Sequence, residues 1–356
     1  MDRTEELLKK LTEAPGVPGY ESRVRQIIRE ALPSDAAIEQ DRIGSIIARL
    51  DGDMPAPKVL VAAHMDEVGF MVRYITEEGF IKFIPLGGWW DQVVLAQRVV
   101  IKTHKGDVLG IVGAKPPHIL AKEERAKLVE KREMYIDIGA TSAKEVADAG
   151  VRQGDPIVPV SEFAILANPK TYMCKAWDDR VGCGLMIQLL HALSEQAHPN
   201  TIYGAGTVME EVGLRGARTS TSMISPDVAI ILDSDIAGDV PGIKKEESAV
   251  KMGGGPTMLI YDAMMIPNLK LRDMVIDLAA ELDIPLQLSA MEGGATDGGF
   301  ISLHQEGVPA VVIAVPARHI HSHDSIIHRD DYDRALTLLT ELVKRLDAET
   351  VAGLTE

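Results

Sequence analysis

The stretch Thr207-Val208-Met209-Glu210-Glu211-Val212-Gly213 places two adjacent carboxylates between an apolar run and a glycine. Neighbouring side chains of a regular strand point to opposite faces. Glu210 and Glu211 can therefore serve one site only if the strand ends there and the chain bends. Open α/β sheets bind their ligands at strand ends of this kind. A solvated pair of charges is the simpler interpretation of an isolated Glu-Glu pair, so the rest of the chain has to decide between the two.

The composition favours a two-domain α/β protein that binds cations rather than anions. The chain has 356 residues, of which 46% are hydrophobic, and this length exceeds that of a typical single core. Helix-forming and strand-forming stretches alternate, which indicates the α/β class. Lys and Arg total 37 against 53 Asp and Glu, so the formal net charge is -16. We therefore expect no binding of nucleic acid or of an anionic membrane through charge.

The cysteines and the first residues of the chain favour a cytoplasmic location. Cys174 and Cys183 do not form a CxxC pair, so no disulfide framework is expected and a reducing compartment is the simplest one. The segment Met1-Asp2-Arg3-Thr4-Glu5-Glu6 is charged and lacks the apolar core of a signal peptide. No apolar run is long enough to span a bilayer.

Hydrophobic spacing predicts helices and strands in alternation, with a β-rich section between them. Helices are predicted over about 4–11, from about 20 to 32, from 178–179 onward, over 269–282 and over 332–346. Strands are predicted over 43–49, 58–64, 70–75, 80–84, 98–103, 108–112, 202–209, 228–232, 286–290 and 308–315. The charged stretch 123–132 has little apolar periodicity, so we expect a mobile loop or an exposed helix there.

The section 69–164 differs from the rest of the chain. Its apolar segments are short and alternating, and glycine-rich turns separate them. We therefore predict a discontinuous α/β domain formed by residues 1–68 and 165–356, with a small β-rich domain inserted at 69–164.

Possible metal-binding side chains recur where predicted strands end or helices begin. They come from five separate elements: His64 and Asp66, Asp178 and Asp179, Glu210 and Glu211, Asp233, and His321. Five elements that each deliver His, Asp or Glu to one edge of one sheet are what a metal site in an α/β domain needs. Oxygen and imidazole ligands without thiolates suit zinc, cobalt or manganese.

Each of these positions also has a simpler interpretation. His64 is equally consistent with a core histidine, and Asp178 or Asp179 is a natural helix N-cap. Asp233 fits turn chemistry. A solvated polar loop would account for the remaining histidines, which are His319, His321, His323 and His328. The conjunction of all these positions favours the metal site.

Seven stretches of the chain resemble the motifs of one enzyme family. They are Ala63-His64-Met65-Asp66-Glu67-Val68-Gly69, Lys175-Ala176-Trp177-Asp178-Asp179-Arg180-Val181-Gly182, Met209-Glu210-Glu211-Val212-Gly213-Leu214-Arg215-Gly216-Ala217, Ile320-His321-Ser322, Gly16-Val17-Pro18-Gly19-Tyr20-Glu21, Gly113-Ala114-Lys115-Pro116-Pro117-His118 and Tyr135-Ile136-Asp137-Ile138-Gly139-Ala140. In their order along the chain they are similar to the motifs of the tetrahedral aminopeptidases, the glutamyl-aminopeptidase-like dinuclear-metal exopeptidases. Some members of that family carry an older "endoglucanase M" label. The resemblance covers essentially the whole chain.

The resemblance implies two divalent metal ions per subunit and assigns the ligand residues of each ion. Asp178 would bridge the two ions. His64 and Asp233 would complete one ion, and Glu211 and His321 the other. The peptide bond between Asp178 and Asp179 would be cis, as it is after the bridging aspartate in this clan.

The resemblance also implies the catalytic roles. Asp66 would orient the imidazole of His64 and raise its basicity. Glu210 would be the general base on a metal-bridged water and would later pass the proton to the leaving amine. The ions would anchor the free α-amine of a short peptide, which would make the enzyme an aminopeptidase rather than an endopeptidase.

The architecture implied by the resemblance is a phosphorylase/hydrolase-like three-layer αβα catalytic domain. The insertion would be a small, PDZ-like β-barrel that serves dimerisation, and six dimers would form a hollow tetrahedral dodecamer. Three departures from the family pattern leave the substrate preference open: His323 where proline often stands, Trp177, and the turn Gly293-Gly294-Ala295-Thr296-Asp297-Gly298. We interpret His323 as a residue that fills the loop.

Three other functions remain as alternatives. A deacylase of small N-acyl metabolites would use the same metal site, but it would need a group that binds a carboxylate and no free α-amine. A glycoside hydrolase would use Glu210 and a second carboxylate as acid and base, which leaves the histidines unexplained. A catalytically inert binding module is the third alternative. It would not explain why Glu210 stands beside a complete set of metal ligands.

Overall fold

The computed structural model describes residues 1–356 and consists of ten α-helices, seventeen strands and three short 3₁₀ turns. The helices α1 to α10 span Arg3–Glu13, Ser22–Ala31, Lys122–Arg125, Ala143–Asp148, Trp177–Ser194, Arg215–Ile224, Leu269–Glu281, Gly298–Ile301, Arg329–Lys344 and Ala348–Gly353. The strands β1 to β17 span Ala37–Gln40, Ile46–Leu50, Lys58–His64, Gly69–Ile75, Ile81–Leu86, Arg98–Thr103, Gly106–Gly113, Tyr135–Asp137, Pro156–Pro159, Ala164–Ile165, Thr171–Cys174, Thr201–Thr207, Val228–Ile236, Thr257–Tyr261, Gln287–Ala290, Ala310–Arg318 and Ser325–His328. None of the helices is both long and apolar enough to cross a membrane.

Four parallel strands form the centre of an eleven-stranded sheet. They lie in the order β12, β3, β13, β16, and antiparallel strands continue the sheet on both sides. In this arrangement Thr207, the last residue of β12, pairs with His64, the last residue of β3. The carboxyl ends of all four strands therefore meet at one edge of the sheet, where an open α/β sheet places its ligands.

Helices cover both faces of this sheet. Along β3, Val59, Val61 and Ala63 belong to one core, which contains residues of α1, α2, α5, α7 and α9. The alternate residues Leu60 and Ala62 belong to a second core, with residues of α6 and α8. A strand that is buried on both faces reads as a continuous apolar run, as 58–64 does in the sequence. The predicted α/β fold class with three layers is confirmed.

A separate closed barrel follows β3. Its strands lie in the order β4-β5-β8-β7-β6-β9, and every neighbouring pair is antiparallel. The barrel has its own core, in which the ring of Phe70 stacks on Trp89 at 4.8 Å between centroids. The predicted small β-barrel is confirmed, whereas the domain boundaries at 68/69 and 164/165 stay a prediction.

The predicted elements agree with the structure in type and differ mainly at their ends. Strand β12 ends at Thr207 instead of 209, because Met209 has a φ of 56° and cannot continue a strand. Strands β13 and β16 run on to Ile236 and Arg318, past the positions predicted from apolarity alone. The charged stretch 123–132 contains most of the short exposed helix α3 and the start of a 3₁₀ turn at Lys131–Glu133.

Candidate metal centre

The chain bends at once after β12, as a shared site for two adjacent glutamates requires. Met209 adopts the left-handed conformation, and Leu214 does so again with a φ of 54° just before α6. The carbonyl of Glu210 accepts hydrogen bonds from the amides of Gly213 and Leu214, at 2.9 and 2.8 Å. Both glutamates line the same cleft in consequence.

Two buried carboxylates hold three consecutive amides of this bend. The N–H groups of Glu210 and Glu211 donate to Oδ1 and Oδ2 of Asp66, at 3.0 and 3.1 Å. The N–H of Met209 donates to Oε1 of Glu21 at 3.1 Å. Asp66 and Glu21 are 0% and 3% exposed. The orientation of the Glu-Glu pair is thus fixed through its backbone.

The imidazole of His64 is oriented mainly by a backbone carbonyl. Its Nδ1 lies 3.1 Å from the carbonyl oxygen of Asp66, within hydrogen-bond distance, but 3.6 Å from the carboxylate oxygen Oδ1 of Asp66. The resemblance to the family implies instead that the carboxylate of Asp66 orients this ring. In the structure that carboxylate serves the amides of the bend, and the effect of Asp66 on His64 stays a prediction.

Asp178 faces two histidines with its two carboxylate oxygens. Oδ1 lies 2.9 Å from Nε2 of His64, and Oδ2 lies 3.0 Å from Nε2 of His321. The peptide bond between Asp178 and Asp179 is cis, which confirms that prediction. Asp179 points away from the cleft, where Oδ1 accepts from the amide of Gly182 and Oδ2 from the amide of His64.

His321 reaches the cleft from the loop that follows β16. It has a φ of 56°, and its Nδ1 donates to the carbonyl of Gly88, at 2.7 Å, in the segment between β5 and β6. This bond leaves Nε2 directed at Asp178 and at Oε1 of Glu211, 3.4 Å away. Oε1 of Glu211 is buried and accepts no hydrogen bond.

The structure brings six of the seven predicted site residues to one cleft of about 660 Å³. The cleft contains two groups of three residues, and within each group the ligand atoms lie within 4.8 Å of one another. The first group is His64, Glu210 and Asp233, and the second is His64, Asp178 and Glu211. His321 also lines the cleft, while Asp66 lies beneath it. These groups differ from the ligand sets that the resemblance implies, because Glu210 belongs to the first group and Asp178 belongs only to the second.

The electrostatics of the cleft favour bound cations. Burial, together with the charges of neighbouring carboxylates, raises the pKa of Glu211 to about 8 and the pKa of Glu210 and Asp233 well above the usual range. Burial disfavours a charge on His64, but the carboxylates of Glu210 and Asp178 outweigh it and raise its pKa. Buried carboxylates that lack cationic partners are costly, and divalent ions would relieve that cost.

A buried ion pair that the sequence analysis did not assign lies behind the cleft. Nζ of Lys175 contacts both carboxylate oxygens of Glu67 at 2.7 Å, and a nitrogen of Arg180 lies 3.5 Å from Oε1 of Glu67. Glu67 and Lys175 belong to two of the quoted motifs, so those motifs contain the signal. Spacing along the sequence could not show that the two residues are partners.

His323 fills the loop near the cleft, as the sequence analysis expected. It is 3% exposed, its ring packs edge-on against Trp89 at 5.3 Å, and neither ring nitrogen has a hydrogen-bond partner. Burial lowers the pKa of His323 to about 4. A neutral ring that contacts an aromatic neighbour is a packing element.

An α/β sheet whose carboxyl edge gathers histidines and carboxylates in one open cleft is typical of hydrolytic metalloenzymes. The family model described as M42 glutamyl aminopeptidase matches residues 44–338, and this chain belongs to that family. A short model described as AMPT matches residues 2–28. The resemblance seen in the motifs is thus confirmed, and the chain is an aminopeptidase-type hydrolase.

Relatives of known description align over nearly the whole chain. The glutamyl aminopeptidase of Lactococcus lactis subsp. cremoris is 36% identical over 351 residues, which are 97% of each chain. The lysyl aminopeptidase of Pyrococcus furiosus is 34% identical over 349 residues, which are 96% of this chain and 97% of that one. The two relatives are named for opposite charges on the substrate's first residue.

Solved structures agree with the fold over the same length. The TET aminopeptidase of a marine sediment thaumarchaeote superposes with a TM-score of 0.97 at 49% identity, over 99% of this chain and 100% of that one. The TET1 peptidase of Pyrococcus horikoshii, which can assemble into a tetrahedron or a large octahedral shell, gives 0.85 at 32%, over 96% and 100%. A Thermotoga maritima structure named endoglucanase gives 0.77 at 30%, over 98% and 99%.

Proposed function

We propose that this chain is a metal-dependent aminopeptidase that removes N-terminal residues from short peptides with two divalent ions. The observation that carries the proposal is the position of Asp178, whose two carboxylate oxygens face His64 and His321 on opposite sides. A carboxylate in this position is suited to bridge two ions. Zinc and cobalt fit the imidazole and carboxylate ligands best, and manganese is a further candidate.

The residues present fit two ions. His64 and Asp233 would hold one ion and Glu211 and His321 the other, with Asp178 between them. The buried Oε1 of Glu211, which accepts no hydrogen bond, has a free lone pair for this purpose. The bond from Nδ1 of His321 to the carbonyl of Gly88 fixes the ring so that Nε2 is the donor atom offered to the ion.

The proposed chemistry divides the work between the ions and Glu210. When bound, the ions supply Lewis acidity, which lowers the pKa of a water molecule and polarises the scissile carbonyl. Glu210 lines the cleft but belongs to the bend that Asp66 fixes, so its carboxylate is held in place. It would take the proton of the attacking water on a carboxylate oxygen and deliver it to the leaving amine.

The lining of the cleft favours a peptidase over a deacylase. A deacylase of N-acylated amino acids would need a cation to bind the substrate's carboxylate. The cleft is lined by no lysine and no arginine. An α-ammonium group, in contrast, suits a cleft rich in carboxylates, and this is the group that a free peptide N-terminus presents.

The assembly and location that accompany this function are also proposals. We infer a homo-oligomer built from dimers through the barrel, and a tetrahedral dodecamer as its end state. The support is the likeness to TET peptidases, one of which assembles into a tetrahedron or an octahedral shell. The cytoplasmic location stays a prediction, to which the two unpaired cysteines Cys174 and Cys183 are suited.

The test is hydrolysis of aminoacyl amides beside their N-acetylated counterparts, before chelation, after chelation and after return of zinc, cobalt or manganese. We expect cleavage of free-amine substrates only, lost on chelation and restored by metal. Glu210→Gln should lower kcat by about 10²- to 10⁴-fold while the metal content stays the same. Glu306→Gln, the same change at an exposed residue outside the cleft, is the control.

The two alternative enzymes each have their own outcome in this experiment. Equal cleavage of the N-acetylated substrates would replace the peptidase with the deacylase. Activity on a β-glucan that resists chelation, with none on any amide, would replace it with the glycoside hydrolase. Full activity of the Glu210→Gln protein would remove Glu210 from the mechanism.

A further inference from the structure

The segment Gly16-Val17-Pro18-Gly19-Tyr20-Glu21 has no role in the proposed chemistry, yet it contacts three parts of the molecule. The amide of Gly16 donates to Oε1 of Glu67, the residue after Asp66, at 3.1 Å. The hydroxyl of Tyr20 donates to the carbonyl of Gly154 in the barrel at 2.6 Å. The third contact is the hydrogen bond from the amide of Met209 to Glu21. This segment therefore lies where the barrel, the β3 end and the Glu-Glu bend meet.

Glu21 is the member of this segment that reaches the bend. A single oxygen, Oε1, accepts the amide of Gly19 at 2.7 Å and the amide of Met209 at 3.1 Å. The side chain comes from the residue just before α2, and it is 3% exposed. Because Met209 is in the left-handed conformation and directly precedes Glu210, its amide direction sets the course of the chain into the site.

Asp66 and Glu21 act on the bend from two different segments. Asp66 holds the amides of Glu210 and Glu211, and Glu21 holds the one before them. Without Glu21, the amide of Met209 would be left without its acceptor in a mostly buried place. An amide without an acceptor is costly when buried, so the backbone at Met209 would shift until the amide finds another partner. Because Met209 directly precedes Glu210, this shift would also displace Glu210.

We propose that Glu21 is a positioning residue for the peptidase reaction: it sets the direction of the Glu210 carboxylate by fixing the amide of Met209. The proposal rests on the proposed function of Glu210. The role belongs to the position of one oxygen atom and not to a charge. A neutral side chain of the same length should therefore serve as well as the carboxylate.

The proposal is tested with three variants at position 21. Glu21→Gln keeps a carbonyl oxygen that can accept both amides, and we expect kcat within about threefold of the unchanged protein. Glu21→Asp keeps the charge but withdraws the oxygens by about 1.5 Å, the length of one carbon–carbon bond, which is beyond hydrogen-bond range of Met209. Glu21→Ala removes the acceptor. For both, we expect kcat to fall about 10- to 100-fold with KM and metal content unchanged.

The control is a second buried carboxylate that holds backbone amides away from the cleft. Asp331 accepts the amides of Gly253 and Gly255 at 2.6 and 2.7 Å and does not line the cleft. Asp331→Ala should lower the melting temperature, as Glu21→Ala should, but leave kcat unchanged in the folded fraction. This comparison separates positioning of Glu210 from general loss of stability.

Different results would contradict the positioning role of Glu21 and the proposed role of Glu210. If Glu21→Gln is impaired as much as Glu21→Asp, or if Glu21→Asp is fully active, the positioning role is wrong. Loss of bound metal in all three variants would also overturn it, because Glu21 would then act on the ions. If Glu210→Gln is fully active, the proposed role of Glu210, on which the positioning role rests, has failed instead. Should Glu21→Ala fail to fold, the Gln and Asp pair still decides.

Discussion

Nζ of Lys175 lies 2.7 Å from both carboxylate oxygens of Glu67, and the two side chains are 4% and 2% exposed. Glu67 follows Asp66 in the turn after β3, and Lys175 lies three residues before Asp178. The ion pair therefore joins two of the segments that supply the cleft. Lys175 also donates to the carbonyl of Ala14, which ties the end of α1 to the same point.

Lys175→Met should destabilise the protein by about 3–5 kcal/mol, because it leaves Glu67 buried with only the more distant Arg180 as a cationic partner. The measurement is the free energy of unfolding from denaturant titration of the metal-free protein. Lys170→Met is the matched control, since Lys170 is 58% exposed and pairs with Asp330 at the surface. That change should cost no more than about 1 kcal/mol. Equal effects of the two substitutions would show that the buried pair has no special weight.

Metal binding should release protons, and the amount should depend on pH. Burial works against a charge on His321, but the hydrogen bond to Asp178 and the charge of Glu211 raise its pKa to about 10. Burial raises the pKa of Glu211 to about 8. Both groups therefore carry protons in the metal-free protein at pH 7, and both must lose them to bind an ion.

The direction in which metal affinity changes with pH follows from these two pKa values. Metal affinity should rise as the pH rises, and the protons that these two groups release on binding should decrease above about pH 8 and disappear above about pH 10. Calorimetric titration of the metal-free protein with zinc, in buffers of different ionisation enthalpy, counts the protons. A count that is zero at pH 7 would show that His321 and Glu211 have both already lost their protons there.

Two aspartates on β13 should respond differently to the same substitution. Asp233 lines the cleft, whereas Asp235, two residues further, is buried outside its lining. Asp233→Asn should reduce the bound metal from two ions to one. Its activity should fall by more than the roughly 10- to 100-fold that loss of an outer hydrogen-bond partner costs. Asp235→Asn should keep both ions and most of the activity. Metal content by mass spectrometry and kcat are the measurements, and a full complement of ions in the Asp233→Asn protein would contradict the ligand assignment.

The position of the cleft could be predicted from the sequence because a simple rule relates strand ends to ligand sites. Parallel strands end at one edge, and a polar residue after a buried run marks such an end. His64 at the end of β3 and the Glu-Glu pair after β12 follow this rule, and the structure places them in one cleft. Alternating helices and strands predict a parallel sheet. That topology brings side chains from distant segments to one edge.

The backbone contacts of the cleft could not be predicted in the same way. The hydrogen bonds that the amides of Glu210 and Glu211 donate to Asp66, and that the amide of Met209 donates to Glu21, depend on turn geometry. Sequence spacing does not define the direction of an amide in a left-handed turn. Hydrophobic spacing does not predict strand β14, Thr257–Tyr261, because its apolar signal is short and continues into exposed residues.

The cleft should prefer basic or uncharged first residues over acidic ones, although the family is described as glutamyl aminopeptidase. Its lining beyond the candidate ligands includes the side chains of Met264 and Met291 and the carboxylates of Glu247 and Glu292, with no lysine or arginine. A substrate side chain that carries a carboxylate would meet like charge there, whereas an aliphatic stem with a cationic end would contact the methionines and face the glutamates. We expect kcat/KM for lysyl and leucyl amides to exceed that for the glutamyl amide by at least about tenfold, which corresponds to about 1.4 kcal/mol. Glu292→Lys should narrow this ratio through KM, while the same charge reversal at the exposed Glu306, outside the cleft, should leave it unchanged. A glutamyl amide that is the best substrate of the unchanged protein would show that a cation from elsewhere, such as a neighbouring subunit, completes the cleft.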